Sequence, residues 1–269
     1  MTAETAVVLT EVVDRVAIVT MNRPERRNAL DGTLVAGLDA AVKQMAADDA
    51  VRVVVLTGAA ADGAAGGFSS GGDTKAGERG AAEPELMALG VPPDALDGDL
   101  ARHDGHASML LHLMPKPTIA MIGGPAVGAG CSLAAACDLR FASEDAVFMG
   151  GFTPNGLAGD YGGTFLWTRI AGTAVARRLY LLNEKLTARQ ALNLGMVHEV
   201  VPASELRAYT LEVATRLARI PTDLVALVKD NLNQAEDAPE RRRFLLANEA
   251  VNQIESGRLL VDRIARRSR

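Results

Sequence analysis

Cysteine is scarce in this 269-residue chain: Cys131 and Cys137 are the only two. A disulfide-stapled secreted scaffold is therefore excluded, and two small core residues are expected instead. They lie six apart on a predicted helix, a spacing that turns them to different faces. Long apolar runs are missing as well. No uninterrupted stretch reaches the roughly 18 residues that suggest a membrane span. An excess of positive charge is missing too. Lys and Arg number 28 against 33 Asp and Glu, for a net charge of −5. That balance gives no electrostatic case for nucleic acid or an anionic membrane as partner. The opening MTAETAVVLTEVVDR has no basic segment followed by an apolar run, so no signal peptide is expected. A reducing cytoplasm is the expected location.

What remains is an ordinary globular composition, 48% hydrophobic and 23% charged. It suits one large domain, or a domain with an appendage, that buries a substantial core. Val7–Val13 and Val16–Met21 are β-rich runs split by Asp14-Arg15, which predicts a hairpin. Leu34, Val35, Leu38, Ala41, Val42 and Met45 then recur at helical spacing. VRVVVLT (51–57) is continuously apolar, as expected of a strand covered on both faces. The strand–strand–helix order recurs. Thr118–Ile122 reads as a strand, Cys131–Ala136 as a helix, and Leu139–Ala142 and Ala146–Met149 as strands. Phe165–Ile170 reads as a helix ended by Gly172, and Trp167 and Phe165 read as core. Thr187 to Gln190 is a capping-box pattern, Gly195 stops the helix it opens, and VHEVV is a last strand. Beyond Pro202 the chain is helical. A core over 1–202 and a helical region over 203–269 are expected. Residues 77–105, rich in Gly, Pro and Asp, read as a lid or binding loop.

Two glycine turns could carry chemistry. FSSGGDTK (68–75) follows the strand at 51–57, and Gly128-Ala129-Gly130 opens a helix after a strand. Without side chains, such turns expose peptide N–H groups, and a helix start favours negative charge there. Two turns converging on one oxygen would stabilise an enolate or a tetrahedral oxyanion. The alternative is two tight turns serving close packing. A dinucleotide fingerprint fails: its third glycine would fall at Leu133, and no acidic residue follows about 20 positions on.

NRPERRNAL, FSSGGDTK, PKPTIAMIGGPAVGAGCSLAAACDLRFASEDAVF, GGT (162–164) and LTARQALNLGMVHEVVP occur in that order. In order and spacing they resemble the enoyl-CoA hydratase/isomerase family, the crotonase superfamily, from about residue 6 to residue 235. The resemblance implies an α/β fold: a crotonase-type spiral of repeated ββα units with a C-terminal helical region used for trimer contacts. It implies an acyl-CoA thioester partner, with coenzyme A as part of the substrate and no tightly bound cofactor. A homotrimer or a dimer of trimers is the expected assembly. The family's oxyanion hole falls on the backbone N–H groups of Gly72 and Ala129. Its CoA contacts fall on Arg26, Arg27, Ser70, Gly72, Asp73 and Thr74, although the two arginines could equally be a solvated pair.

The pattern breaks at the acid/base residues. The two glutamates of the family's hydratases fall on Ser132 and Phe152, neither of which is a carboxylate. General acid–base catalysis contributes about 10²- to 10⁴-fold, so most ordinary hydration should be lost. Glu144 and Asp145 are near in sequence but sit in a turn expected to face solvent. Asp160, four before Thr164, matches the catalytic aspartate of some isomerases and of the aryl-CoA dehalogenases. It could equally cap the helix that follows. Beside Phe152 and Tyr161, a buried carboxylate would titrate high, which suits proton transfer. Phe152 also resembles the aromatic that dehalogenases pack on a flat acyl group.

The pocket is expected to include Ser132, Phe152, Tyr161 and His106. His103 or His106 is a further acid/base candidate. With Asp97, Asp99 and Asp104 these histidines match no metal-ligand spacing, and no metal is expected. His112 and His198 read as structural, and Arg241–Arg243 as a solvated helix face that could reach the CoA of a neighbouring subunit. Three functions follow: double-bond isomerisation through Asp160; hydration, hydrolysis or dehalogenation; or acyl-CoA binding without catalysis.

Overall fold

A computed structural model describes residues 6–60, 67–73 and 106–236. Strands β1 (Val8–Val13) and β2 (Val16–Met21) form the expected hairpin, pairing Val13 with Val16. Asp14 and Arg15 both take positive φ, 49° and 69°, the pattern that a two-residue hairpin turn of matching twist requires. Helix α1 (Gly32–Ala47) is capped by Asp31, whose carboxylate accepts from Leu34 N at 2.9 Å. Its buried face is the six residues that the periodicity selects.

Then come β3 (Val53–Gly58), α2 (Ala107–Leu113), β4 (Thr118–Ile122), β5 (Pro125–Val127), α3 (Ala129–Ala136), β6 (Leu139–Ser143) and β7 (Val147–Met149). Helix α4 (Gly163–Leu181), β8 (Leu186–Thr187), α5 (Ala188–Asn193) and β9 (Glu199–Val201) follow, and α6 (Leu206–Ala218) and α7 (Thr222–Glu236) close the described chain. The larger sheet runs β1-β2-β3-β4-β6-β9, parallel except for β1. The smaller runs β5-β7-β8. Each turn of chain lays one strand in the large sheet and the next in the small one: β4 then β5, β6 then β7. This stacks successive turns as a spiral.

The apolar run in β3 has a direct cause. Val54 and Leu56 join the main core with Ala17, Val19 and Ile122. Val53 and Val55 face the other way, with Ile18, Ile119 and Phe141, and α6 covers them through Leu206, Ala214 and Ala218. Both faces are dry, so no position alternates to polar. Helix α7 is tied down by Lys229, 6% exposed, whose Nζ donates to Leu111 O (3.0 Å), Lys116 O (3.1 Å) and Asp138 Oδ2 (2.8 Å).

Gly172 ends the first stretch of α4 as expected, with non-helical φ 83° and ψ 162°, and a second helical stretch follows directly, burying Val175, Ala176, Leu179 and Tyr180. Two expectations need correction. Cys137 is not on a helical face: α3 ends at Ala136, and Cys137 is its extended C-cap. Both thiols are nonetheless buried core residues, and burial pushes each up to about 12. Helix α3 starts at Ala129, two residues earlier than expected, directly on the glycine turn. Among the described residues no helix is long and apolar enough to cross a membrane.

Candidate active site

The two glycine turns lie against each other. Ser69 N donates to Pro125 O (3.1 Å) and Val127 N donates to Ser69 O (2.9 Å), so the loop after β3 runs parallel to β5. Gly71, with φ 87°, sits so close that a Cβ there would lie 2.8 Å from Val127 O and 3.3 Å from Gly128 Cα. Gly128 takes φ 56° and ψ −128°, a conformation essentially reserved for glycine. Gly130 faces Ser69 in turn: a Cβ on it would meet Ser69 O at 2.6 Å. Close packing and ligand access are thus served by the same glycines.

Gly72 pairs with Leu30 through Leu30 N to Gly71 O and Asp73 N to Leu30 O, both 2.8 Å. That pairing leaves the Gly72 N–H directed away from Leu30. Ala129 is the first residue of α3 and contributes one of the helix's unshared N–H groups. Neither N–H has an acceptor among the described residues.

A brace that sequence reasoning missed holds the first turn. Asn28, fully buried and at φ 53°, donates from Nδ2 to Ala59 O (3.0 Å) and Gly67 O (2.9 Å). Its carbonyl accepts from Ser69 Oγ (2.8 Å), and Ser69 Oγ accepts from Gly71 N (3.2 Å). The signal was the serine pair itself: on an extended segment one of two neighbours turns inward, and here it is Ser69 rather than Ser70.

The expected CoA contacts divide. Arg26 and Asp73 pair with each other, Nη2 to Oδ1 at 2.7 Å, and Arg23 adds a second contact to Asp73 at 3.3 Å. Burial alone would raise the Asp73 carboxyl, but the hydrogen bond and charge of Arg26, with Arg23 behind them, hold it below its ordinary value. Arg27 is exposed, and its carbonyl accepts from Ser70 N at 3.0 Å. Thr74, His103, Arg241–Arg243 and the 77–105 segment lie outside the described residues.

Ser132 and Phe152 come together with a residue that sequence reasoning did not select, Tyr180. Phe152 stacks on Tyr180 with ring centroids 5.7 Å apart and 7° between planes. The Tyr180 hydroxyl lies 3.5 Å from Ser132 Oγ, and Ser132 Oγ also donates to Gly128 O at 3.4 Å. Gly163 abuts Ser132 Oγ and the Tyr180 hydroxyl. All are buried, so the space between Ser132 and Phe152 is packed with aromatic rings. Tyr180 stands 48 residues from Ser132, a distance at which no local pattern announces a contact.

Asp160 is 6% exposed, and its carbonyl accepts from Gly163 N at 3.0 Å. The N-cap position of α4 is Gly162, two residues beyond Asp160. Next to it, Tyr161 adopts φ 52°. The His106 ring meets the Tyr161 ring edge-on at 5.9 Å, and His106 Nδ1 lies 3.3 Å from Asp39 Oδ2. Glu144 and Asp145 are exposed, as expected. Trp167 is fully buried in the core, and His198 Nδ1 accepts from Arg140 N at 3.1 Å. Among the described residues no cluster of His, Cys, Asp and Glu could hold a metal ion.

A sheet spiral with two apposed glycine turns defines the crotonase superfamily, and the comparisons agree. The sequence matches the profile of the enoyl-CoA hydratase/isomerase family over residues 11–256. The chain belongs to that family. It is 35% identical over 229 residues to the 1,2-epoxyphenylacetyl-CoA isomerase of Escherichia coli K12, covering 85% of this chain and 82% of that protein. It is 31% identical over 246 residues to 4-chlorobenzoyl coenzyme A dehalogenase-1 of Arthrobacter sp, covering 90% and 83%. Among solved structures, an enoyl-CoA hydratase/isomerase from Xanthobacter autotrophicus Py2 superimposes with a TM-score of 0.79 at 33% identity, over 94% of this chain and 88% of that one.

Proposed function

We propose that the protein isomerises a double bond in an acyl-CoA thioester. The thioester oxygen rests on the N–H groups of Gly72 and Ala129. Asp160 removes a proton from one carbon and returns it at another, while the two N–H groups carry the enolate charge. The observation that carries this reading is the pairing of a buried Asp160, just ahead of α4, with positions 132 and 152 that hold no carboxylate. Two unshared N–H groups on touching turns support the oxyanion role. The relatives named as an isomerase and a dehalogenase are compatible with an aspartate at work in place of paired glutamates. A trimer belongs to the same reading. On α7, Leu224, Leu227, Val228 and Leu232 face outward at helical spacing, and a subunit contact would cover them.

The test is mass spectrometry of enoyl-CoA and aryl-CoA thioesters incubated with the protein in deuterium oxide. Deuterium gain without added water is expected, and Asp160→Asn should stop it. Gain of one water would establish hydration and refute the argument from the missing carboxylates. Binding without any exchange would leave an acyl-CoA binder.

A further inference from the structure

Tyr161 is the most conspicuous misfit in the site. It is a bulky residue on a left-handed backbone, φ 52°, where an ordinary side chain is disfavoured. Tyr161 as a whole is partly exposed, but its hydroxyl oxygen is covered and has no hydrogen-bond partner among the described residues. Native structures rarely leave a buried phenol unsatisfied, because the group loses water and gains nothing. Turn strain and an orphaned hydroxyl at one residue beside the candidate acid/base point to use rather than packing. Phenylalanine would fill the same space without the lost hydrogen bond.

The chemistry of the hydroxyl follows from its neighbours. Burial, then the charges of Asp160 and Asp39, hold the phenol well above its ordinary range. It therefore keeps its proton and is a donor in search of an acceptor. Among the described neighbours, the His106 ring meets Tyr161 edge-on, and His106 itself faces Asp39.

We propose that Tyr161 selects acyl groups that carry an oxygen of their own, placed beyond the thioester carbonyl. A hydroxyl, carbonyl or epoxide oxygen on the acyl chain accepts the Tyr161 hydrogen bond. Because Tyr161 adjoins Asp160, that oxygen lies close to the carbons between which the proton moves. The inference rests on the thioester reading above and adds a substrate class to it. Discrimination is strong in such a case: an analogue lacking the oxygen leaves the buried donor unpaired.

The experiment is equilibrium binding by calorimetry with matched CoA thioesters. Each pair is a hydrocarbon acyl-CoA and its counterpart with oxygen at C2, C3 or C4, measured on the wild-type protein and on Tyr161→Phe. At least one oxygenated member should bind about 10-fold tighter than its parent, and Tyr161→Phe should bring that ratio to unity. Melting of Tyr161→Phe should occur at the same temperature as wild type or higher, since a buried unsatisfied group has been removed. A ratio that persists in Tyr161→Phe, or a wild type that prefers no oxygenated member, overturns the proposal. A lower melting temperature overturns it as well, by showing that the hydroxyl already has a structural partner. If no thioester of any kind binds the wild type, the thioester reading itself fails, and the two failures are distinct.

Discussion

Ser69→Ala tests whether the Ser69 hydroxyl holds the first glycine turn in the geometry that the proposed oxyanion role needs. Ser69 Oγ donates to Asn28 O at 2.8 Å and accepts from Gly71 N at 3.2 Å, while the Ser69 backbone bonds Pro125 and Val127 across the second turn. Removing the hydroxyl leaves a buried carbonyl and a buried N–H without partners. Each such group costs about 1–3 kcal/mol, so roughly 2–6 kcal/mol of stability should be lost, read as the midpoint of urea unfolding. That is a large share of a typical 5–15 kcal/mol total, but the fold should survive it. The catalytic effect is bounded by the loss of one oxyanion donor, about 10²–10³-fold. Gly72 is displaced by the change rather than deleted, so a fall of about 10- to 100-fold in deuterium exchange is expected. Thioester affinity, measured separately, should change far less, because the N–H groups act most strongly on the developing charge. A variant that is destabilised but exchanges at the wild-type rate would show that Ser69 braces the fold alone. A variant as stable as wild type would refute the hydrogen-bond accounting itself.

Asp160→Asn should lower exchange by about 10²–10⁴-fold while thioester binding persists; equal loss of binding would point to a positional role instead. Asp73→Asn should lower the melting temperature at neutral pH. The Asp73 carboxyl sits below its ordinary value in the folded protein, so its contribution is complete above the ordinary carboxylate range. It fades as pH falls through the folded-state value, and the gap between variant and wild type should close in acid; a gap that widens there would reverse the sign. Ser132→Glu should fail to restore hydration, because the new carboxylate meets the Tyr180 hydroxyl and Gly163 rather than water. A measurable hydration rate in that variant would show that the aromatic plug yields easily.

Much of the frame was legible because it is set by local rules. The hairpin at Asp14-Arg15, the six buried positions of α1 and the Thr187 capping box each depend on residues within a few positions of one another. Gly172 was legible as a stop for the same reason. The second helical stretch beyond it was not, since that depends on whether the next turns find core, and Leu179 and Tyr180 do. The two glycine turns could be named from sequence. Their contact could not, since it is made by a bridge between Ser69 and Ala126 across 57 residues.

The same distinction governs the chemistry. Sequence shows that carboxylates are absent at 132 and 152 but not what stands in their place. An empty space there would admit water, and Asp160 could then orient it. The space is instead closed by the Phe152–Tyr180 stack and by Ser132, whose hydroxyl donates back to Gly128 O. Gly163 is in contact with that plug, and its N–H donates to the Asp160 carbonyl. The packing that excludes water from one side of the site therefore also fixes the turn that carries Asp160. Under the proposed isomerisation, substitutions in the plug should for this reason alter proton transfer even though no plug residue carries the proton. Under the proposed isomerisation, the shape of this wall would favour proton return to carbon over water addition as much as the aspartate would.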